Sequence, residues 1–139
     1  MGYDYSGSWR STAGHNSQLH ALADGEGSAD KGVEYALKKG FPSRKILLGI
    51  PIFARKHVGA SAPGGRFKAL YDDEDVIEYR DLPRPGTEEI TDTAVGGASC
   101  YTEKDGWISY DNPTTVTMKA QYCKEKNLGV STSSQPHIV

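Results

Sequence analysis

Apolar and polar residues alternate in the opening run MGYDY, which empties through Ser-Gly-Ser-Trp into a loop rich in Gly, Ser, His and Asn. That is the pattern of a strand feeding a loop. From Ser28 to Lys39 the spacing changes, with Val33, Ala36 and Leu37 recurring on one face of a helix that Gly40 stops. Pro42 and Ser43 lead into KILLGIPIF, residues 45–53, a nearly continuous apolar run expected of a strand buried on both faces of a parallel sheet. The stretch that follows is rich in Gly, Pro, Asp and Thr, with strand-like pieces around Phe67 to Tyr71 and Trp107 to Tyr110, and reads as a small inserted lobe. Asp111 or Asn112 then caps a last helix with Pro113 in its first turn, turning Val116, Ala120 and Cys123 inward and ending near Gly129.

The predicted order is strand, helix, strand, insertion, helix. Two βα units cannot close a barrel, and a further crossover needs a strand after the last helix. LGVSTSSQPHIV begins like a strand at Leu128 to Val130, but Ser131, Thr132, Ser133, Ser134 and Pro136 give no sustained apolar run. The final strand is therefore expected to be lost. With a first strand that has no lead-in, both ends look cut, and the expectation is a piece of a larger α/β fold.

Composition narrows this only a little. The 139 residues are enough for one core, with 37% apolar and 24% charged residues and a formal net charge of -2. Neither disorder nor an electrostatic partner such as nucleic acid is suggested. No window approaches the roughly 18 apolar residues of a membrane span, and no charged-then-apolar leader precedes Gly2. Cys100 and Cys123 are available to pair in an oxidising compartment, without metal spacing or C-x-x-C.

Several runs carry a resemblance. MGYDYSGSW, the GHNS after it, KKGFPSRKILLGIPIFAR, GWISYDNPTTVTMKAQY and KEKNLG, in this order, are similar to the later part of fungal-type family 18 glycoside hydrolases, the chitinases. The resemblance covers nearly the whole chain to about Gly129. It implies an α/β fold, a partial TIM (β/α)8 barrel made of strands 6 and 7 and helices 6 and 8, with an α+β insertion domain. The implied division is residues 1–56 for the barrel segment from strand 6 to strand 7, 57–106 for the insertion, 107–129 for the return strand and helix 8, and 130–139 for an aberrant tail. Met1 resembles a methionine inside the family's sixth strand, so the start is expected to be a fragment or gene-model boundary.

The resemblance also implies a chemistry. Chitinases of this class hydrolyse β-1,4-linked N-acetylglucosamine polymers with retention, using the substrate's own acetamido oxygen as nucleophile instead of a second carboxylate. Tyr3 resembles the tyrosine whose hydroxyl bonds the acetamido carbonyl, and Asp4 the neighbouring aspartate that contacts the bound sugar. Arg55, in PIFAR, resembles an arginine that donates to sugar oxygens, and Trp9 an aromatic platform on the leaving-group side, where an indole face stacks on a pyranose. Bland alternatives stay open. Tyr3 also fits a core aromatic, Trp9 a loop cover, and Arg55 a partner for a carboxylate of the insertion. Asp4 on an apolar strand is harder to explain structurally, because a buried carboxylate needs partners. His15 and Asn16 sit in a polar loop and receive no role beyond turns.

Three features depart from the family pattern. Phe53 and Ala54 replace its usual tyrosine and glycine before Arg55. The DxxDxDxE run that supplies the general acid is absent, the nearest imitation being YDDEDVIEY, where Asp72, Asp75 and Glu78 fall at wrong offsets and Ile77 stands in place of the third aspartate. A solvated charged segment is the expected reading there. The tryptophan that floors the reacting sugar would follow Gly129, where Ser131 and Thr132 stand. The chain is thus expected to be chitinase-like, to bind chitin or chito-oligosaccharide, to need no cofactor, metal, nucleic acid or membrane, and to be inactive and aggregation-prone alone. The family is extracellular and monomeric. A non-catalytic chitin-binding protein is the alternative.

Overall fold

The computed structural model describes residues 1–129 and 132–134. It is a mixed α/β arrangement in which two helices pack together and a five-stranded antiparallel sheet stands beside them. The first helix, α1, runs Ala29–Lys38 and buries Ala29 and Val33, with Leu37 packed against the same cluster; Gly40 at φ 89° ends it as expected.

KILLGIPIF is not one strand. Residues 46–48 are irregular and Leu47 is exposed; β1 occupies only Gly49–Pro51, and after Ile52 the chain enters β2, Phe53–His57, in the other sheet. Pro51 lacks the N–H that a ladder continuing in one direction would use. The antiparallel sheet has the order β3-β2-β6-β5-β4, with β3 at Val76–Glu78, β4 at Ile90–Asp92, β5 at Gly97–Thr102 and β6 at Gly106–Tyr110. It draws on residues 53–57 and 107–110 as well as on the span between them. The piece expected at Phe67 to Tyr71 is no strand; Phe67 instead packs against Trp107, Ala13 and Ala60.

Period 2 divides the sheet between two environments. One face buries Ala54, Ile77, Ala98, Cys100, Ile108 and Tyr110 beneath Leu82. The other carries Arg55 opposite Ser109 and His57 opposite Trp107, and on it lies the loop after Trp9.

The second helix, α2, spans Pro113–Glu125 under a capping box: the Asn112 side chain accepts from the Thr115 N–H, and the Thr115 hydroxyl accepts from the Asn112 N–H, both at 3.0 Å. Its inward face differs from expectation. Thr115, Lys119, Tyr122 and Cys123 are buried while Val116 is exposed, because Thr115 and Lys119 both bond the buried Asp111 carboxylate and set the helix rotation. Apolar spacing cannot register an inward lysine. Cys123 lies with Leu19, Val33, Leu48 and Leu128, and Cys100 in the sheet core; both thiols are free.

Two expectations about strands are corrected. MGYDY forms no assigned strand: the Gly2 N–H bonds the Gly49 carbonyl at 3.0 Å, beside β1, but Asp4 turns to φ 63° and the amides of Asp4 and Tyr5 are both taken by Asn16. The strand expected to be lost is present as β7, Thr132–Ser134, parallel to β1 with Gly49 opposite Thr132 and Pro51 opposite Ser134. Main-chain pairing needs no apolar run, which is why side-chain pattern missed it. Residues 130–131 and 135–139 of the expected tail lie outside the described residues. Among the described residues, no helix is long and apolar enough to cross a membrane.

Candidate functional site

Arg55 is the hub of the candidate site. It is the third residue of β2 and only 5% exposed, so its guanidinium must be compensated where it lies. Its Nε–H donates to Asp4 Oδ1 at 2.9 Å and its Nη1 to Asp75 Oδ1 at 2.8 Å. Burial works against the charge, but the bond to Asp4 and the field of Asp75 outweigh it and hold the pKa above the ordinary arginine value. The guanidinium also lies over two aromatic rings, 4.9 Å from the Trp9 centroid and 5.7 Å from that of Phe53.

Of the four residues singled out from the sequence, Asp4 and Trp9 meet on Arg55, and Tyr3 lies beside them on Phe53. Tyr3, half-buried, sets its ring edge-on to Phe53 at 5.6 Å and 82°. Asp4 keeps 42% of its side chain exposed while one oxygen holds Arg55. Trp9 is 59% exposed and folds back over Gly7, where a Cβ would stand 2.4 Å from the indole. A glycine is required for that ring to lie down on Arg55. The result is an exposed indole and a part-exposed carboxylate on a fixed, buried cation, with the Tyr3 ring packed on Phe53 beside them, a set suited to the hydroxyls and apolar faces of a sugar.

Asp75 was missed. The segment Tyr71 to Glu74 and Glu78 are exposed as a solvated run should be, but Asp75 is 3% exposed and pairs with Arg55. The open alternative, that Arg55 pairs with a carboxylate of the insertion, holds together with its contact to Asp4. The available signal was position: Asp75 alone abuts the short alternation Val-Ile-Glu of β3.

Beneath Arg55, two residues along the same strand face, lies His57, fully buried against Trp107 and Phe67. Its Nδ1 faces the Trp107 carbonyl at 3.3 Å, which can only accept, so Nδ1 carries the proton and Nε2 accepts from the Ser6 hydroxyl at 3.1 Å. Burial pushes its pKa down to about 4, against the opposing pull of the Trp107 carbonyl and Asp75. An unfolded histidine titrates near 6.5, so the unfolded chain binds the proton first. Stability from this group is whole above pH 6.5 and is lost as pH falls from there to about 4, by about 3 kcal/mol. Urea midpoints of the chain and of His57→Gln, compared between pH 7.5 and 4, should show the variant less stable at neutral pH but flatter in this window. Parallel pH profiles would refute the assignment.

A groove of about 480 Å³ opens on the same sheet face nearer β4, lined by His15, Ser99, Tyr101 and Trp107 among others. None of Tyr3, Asp4, Trp9 and Arg55 lines it. Concavity and chemistry thus point to different places, and the ion-paired, aromatic-faced cluster is the better site because its polar groups converge. Among the described residues no group of His, Cys, Asp and Glu is disposed to hold a metal.

Comparison with known proteins bears on this cluster. The sequence profile of Glycosyl hydrolases family 18 matches residues 1–132. The chain is 33% identical to Endochitinase 1 of Metarhizium robertsii over 139 residues, covering 94% of this chain and 33% of that protein, and 30% identical to Chitinase 1 of Aphanocladium album, covering 93% and 32%. It spans about a third of the length of the curated relatives it matches. Among solved structures it is similar to a family 18 chitinase of Cycas revoluta in complex with (GlcNAc)3, at TM-score 0.85 and 30% identity over 97% of this chain and 40% of that one.

Proposed function

The chain belongs to glycosyl hydrolases family 18, and from that premise we propose that it forms the acetamido-binding side of a site that hydrolyses β-1,4-N-acetylglucosamine linkages in chitin with retention. The observation that carries the reading is the contact of Asp4 and Trp9 with one buried arginine, Arg55, beside the Phe53 ring on which Tyr3 packs. In the proposed reaction the substrate's acetamido oxygen attacks the anomeric carbon, and the bond to the departing sugar oxygen breaks as an acid protonates that oxygen. Tyr3 donates to the acetamido carbonyl and holds it in line, a gain of several kcal/mol in principle. Asp4 touches the sugar beside it. Arg55 holds Asp4 in place from beneath the Trp9 ring, and Trp9 offers its exposed face to a pyranose on the leaving-group side.

On the same reading β1 and β7 are neighbouring strands of a TIM barrel with residues 1–4 running beside β1 through the Gly2 to Gly49 bond, residues 57–106 are the core of the inserted lobe, and 107–129 lead back through α2. The protein acts as an extracellular monomer on chitin or chito-oligosaccharides. No DxxDxDxE run occurs in the 139 residues, and Asp75 is committed to Arg55, so the chain by itself lacks a general acid. The alternative is a non-catalytic chitin binder that uses the exposed Trp9 face. The two separate in one assay. Placed in Metarhizium robertsii Endochitinase 1 instead of the matching third, these residues should support release of product from a chromogenic chitobioside, while the chain alone releases none. A folded, inactive hybrid that still binds chitin would favour the binder.

A further inference from the structure

Asp4 is the one positive-φ aspartate whose carboxylate holds Arg55; the others, Asp72 and Asp73, lie in an exposed turn. A left-handed backbone is unfavourable at a residue other than glycine, so something must hold it. Asn16 meets that need. It is completely buried, its Oδ1 accepts the Asp4 N–H at 3.1 Å, and its carbonyl accepts the Tyr5 N–H at 3.0 Å. Its own N–H donates to Ser109 Oγ at 2.8 Å, and Ser109 stands directly opposite Arg55 across the β2–β6 ladder. One residue thus references both halves of an ion pair whose members are 51 positions apart.

The side chain is also retained against its own cost. Among the described residues Asn16 Nδ2 is buried without a partner, and an unpaired buried donor is destabilising. The amide is there for its oxygen. Its neighbour fixes it from below, since Ser17 Oγ donates to Asp111 Oδ2 at 2.6 Å and the Ser17 carbonyl accepts from Lys119.

We propose that Asn16 is a positioning residue: it locks Asp4 in the left-handed conformation and so places the Asp4 carboxylate on Arg55. The functional meaning rests on the reading of Tyr3, Asp4 and Arg55 as the sugar site, but the geometry can be tested separately. The sign of φ at Asp4 follows from its one-bond Cα–Hα coupling and its intraresidue H–H contact, and the Asp4–Arg55 bond from hydrogen exchange at Arg55 Nε. A merely structural role would lower the urea midpoint of the chain and leave both signals unchanged in the folded state.

In Asn16→Ala the Asp4 signal should move to negative φ and Arg55 Nε–H should exchange about tenfold faster, the loss of roughly one charge-assisted bond. Asn16→Asp, which keeps the acceptor and exchanges the unpartnered donor for a carboxyl oxygen, should retain both signals where it folds, at a pH low enough to keep that carboxyl neutral. Should Asn16→Ala not fold, Ser109→Ala decides, with a smaller change in the same direction. Unchanged Asp4 and Arg55 signals in whichever of these two variants folds would overturn the proposal, as would loss of both signals in a folded Asn16→Asp. Affinity for chito-tetraose is measured alongside. If the unmodified chain binds none, the sugar reading fails while the two signals still decide the role of Asn16.

Discussion

Asp111→Ala is expected to destabilise the chain by about 3–5 kcal/mol, the loss typical when a buried ion pair is stripped of one partner. Asp111 and Lys119 are 3% and 1% exposed, with Lys119 Nζ at 2.6 and 2.7 Å from the two carboxylate oxygens. Ser17 Oγ at 2.6 Å and Thr115 Oγ1 at 2.7 Å complete the carboxylate's shell. Burial pushes the Lys119 pKa below the ordinary lysine value, with Asp111 opposing it. Without Asp111 that opposition is gone, and an ammonium remains in the interior beside a Ser17 hydroxyl that has lost its acceptor. The double variant Asp111→Ala/Lys119→Met should be less destabilised than the sum of its parts, because no charge is left behind. Urea unfolding midpoints measure both. A loss under 1 kcal/mol for Asp111→Ala would mean that the pair does not hold the Ser17 loop to α2.

The largest kinetic effect is expected from Tyr3→Phe in the hybrid chitinase. If the Tyr3 hydroxyl donates to the acetamido oxygen as it attacks, its loss resembles removal of one preorganised donor, about 10²-fold or more in kcat. KM should change much less, because the bond matters most in the transition state. The ring itself stays packed on Phe53, so the fold should be unaffected. A fall in KM-limited binding with kcat unchanged would assign Tyr3 to ground-state contact only.

The readable part of this molecule is the part written in apolar spacing and in ordered motifs. Val33, Ala36 and Leu37 before Gly40 announce α1, and Tyr3, Asp4, Trp9 and Arg55 stand in runs whose order carried the resemblance. What escaped is polar and buried. Asp75, Asn16, Asp111 and Lys119 sit at 3% exposure or less, and each is tolerated inside only because of partners distant in sequence: Arg55 for Asp75, Asp4 and Ser109 for Asn16, Ser17 for Asp111 and Lys119. No periodicity encodes such a partner. The short strands escaped for a related reason. β4 and β5 carry Thr, Asp, Ser and Gly, and their stability comes from cross-strand pairing, as that of Cys100 with Ile108, which a linear pattern does not display. Asp4 shows the limit most clearly: its run alternates like a strand, but its backbone turns to φ 63° beside Asn16.

Trp9 and Trp107 are the two tryptophans of the chain, and they stand in opposite environments, 59% and 4% exposed. Their indole N–H resonances therefore separate the proposed sugar face from the groove nearer β4, where Trp107 forms part of the lining. Titration of the isotope-labelled chain with chito-tetraose is the most direct measurement of whether Tyr3, Asp4, Trp9 and Arg55 receive an N-acetylglucosamine chain. The expected result is a saturable shift of the Trp9 signal, absent with cello-tetraose, with the Trp107 signal unmoved. A Trp9 signal that ignores chito-tetraose or answers cello-tetraose equally, or a shift confined to Trp107, would contradict it.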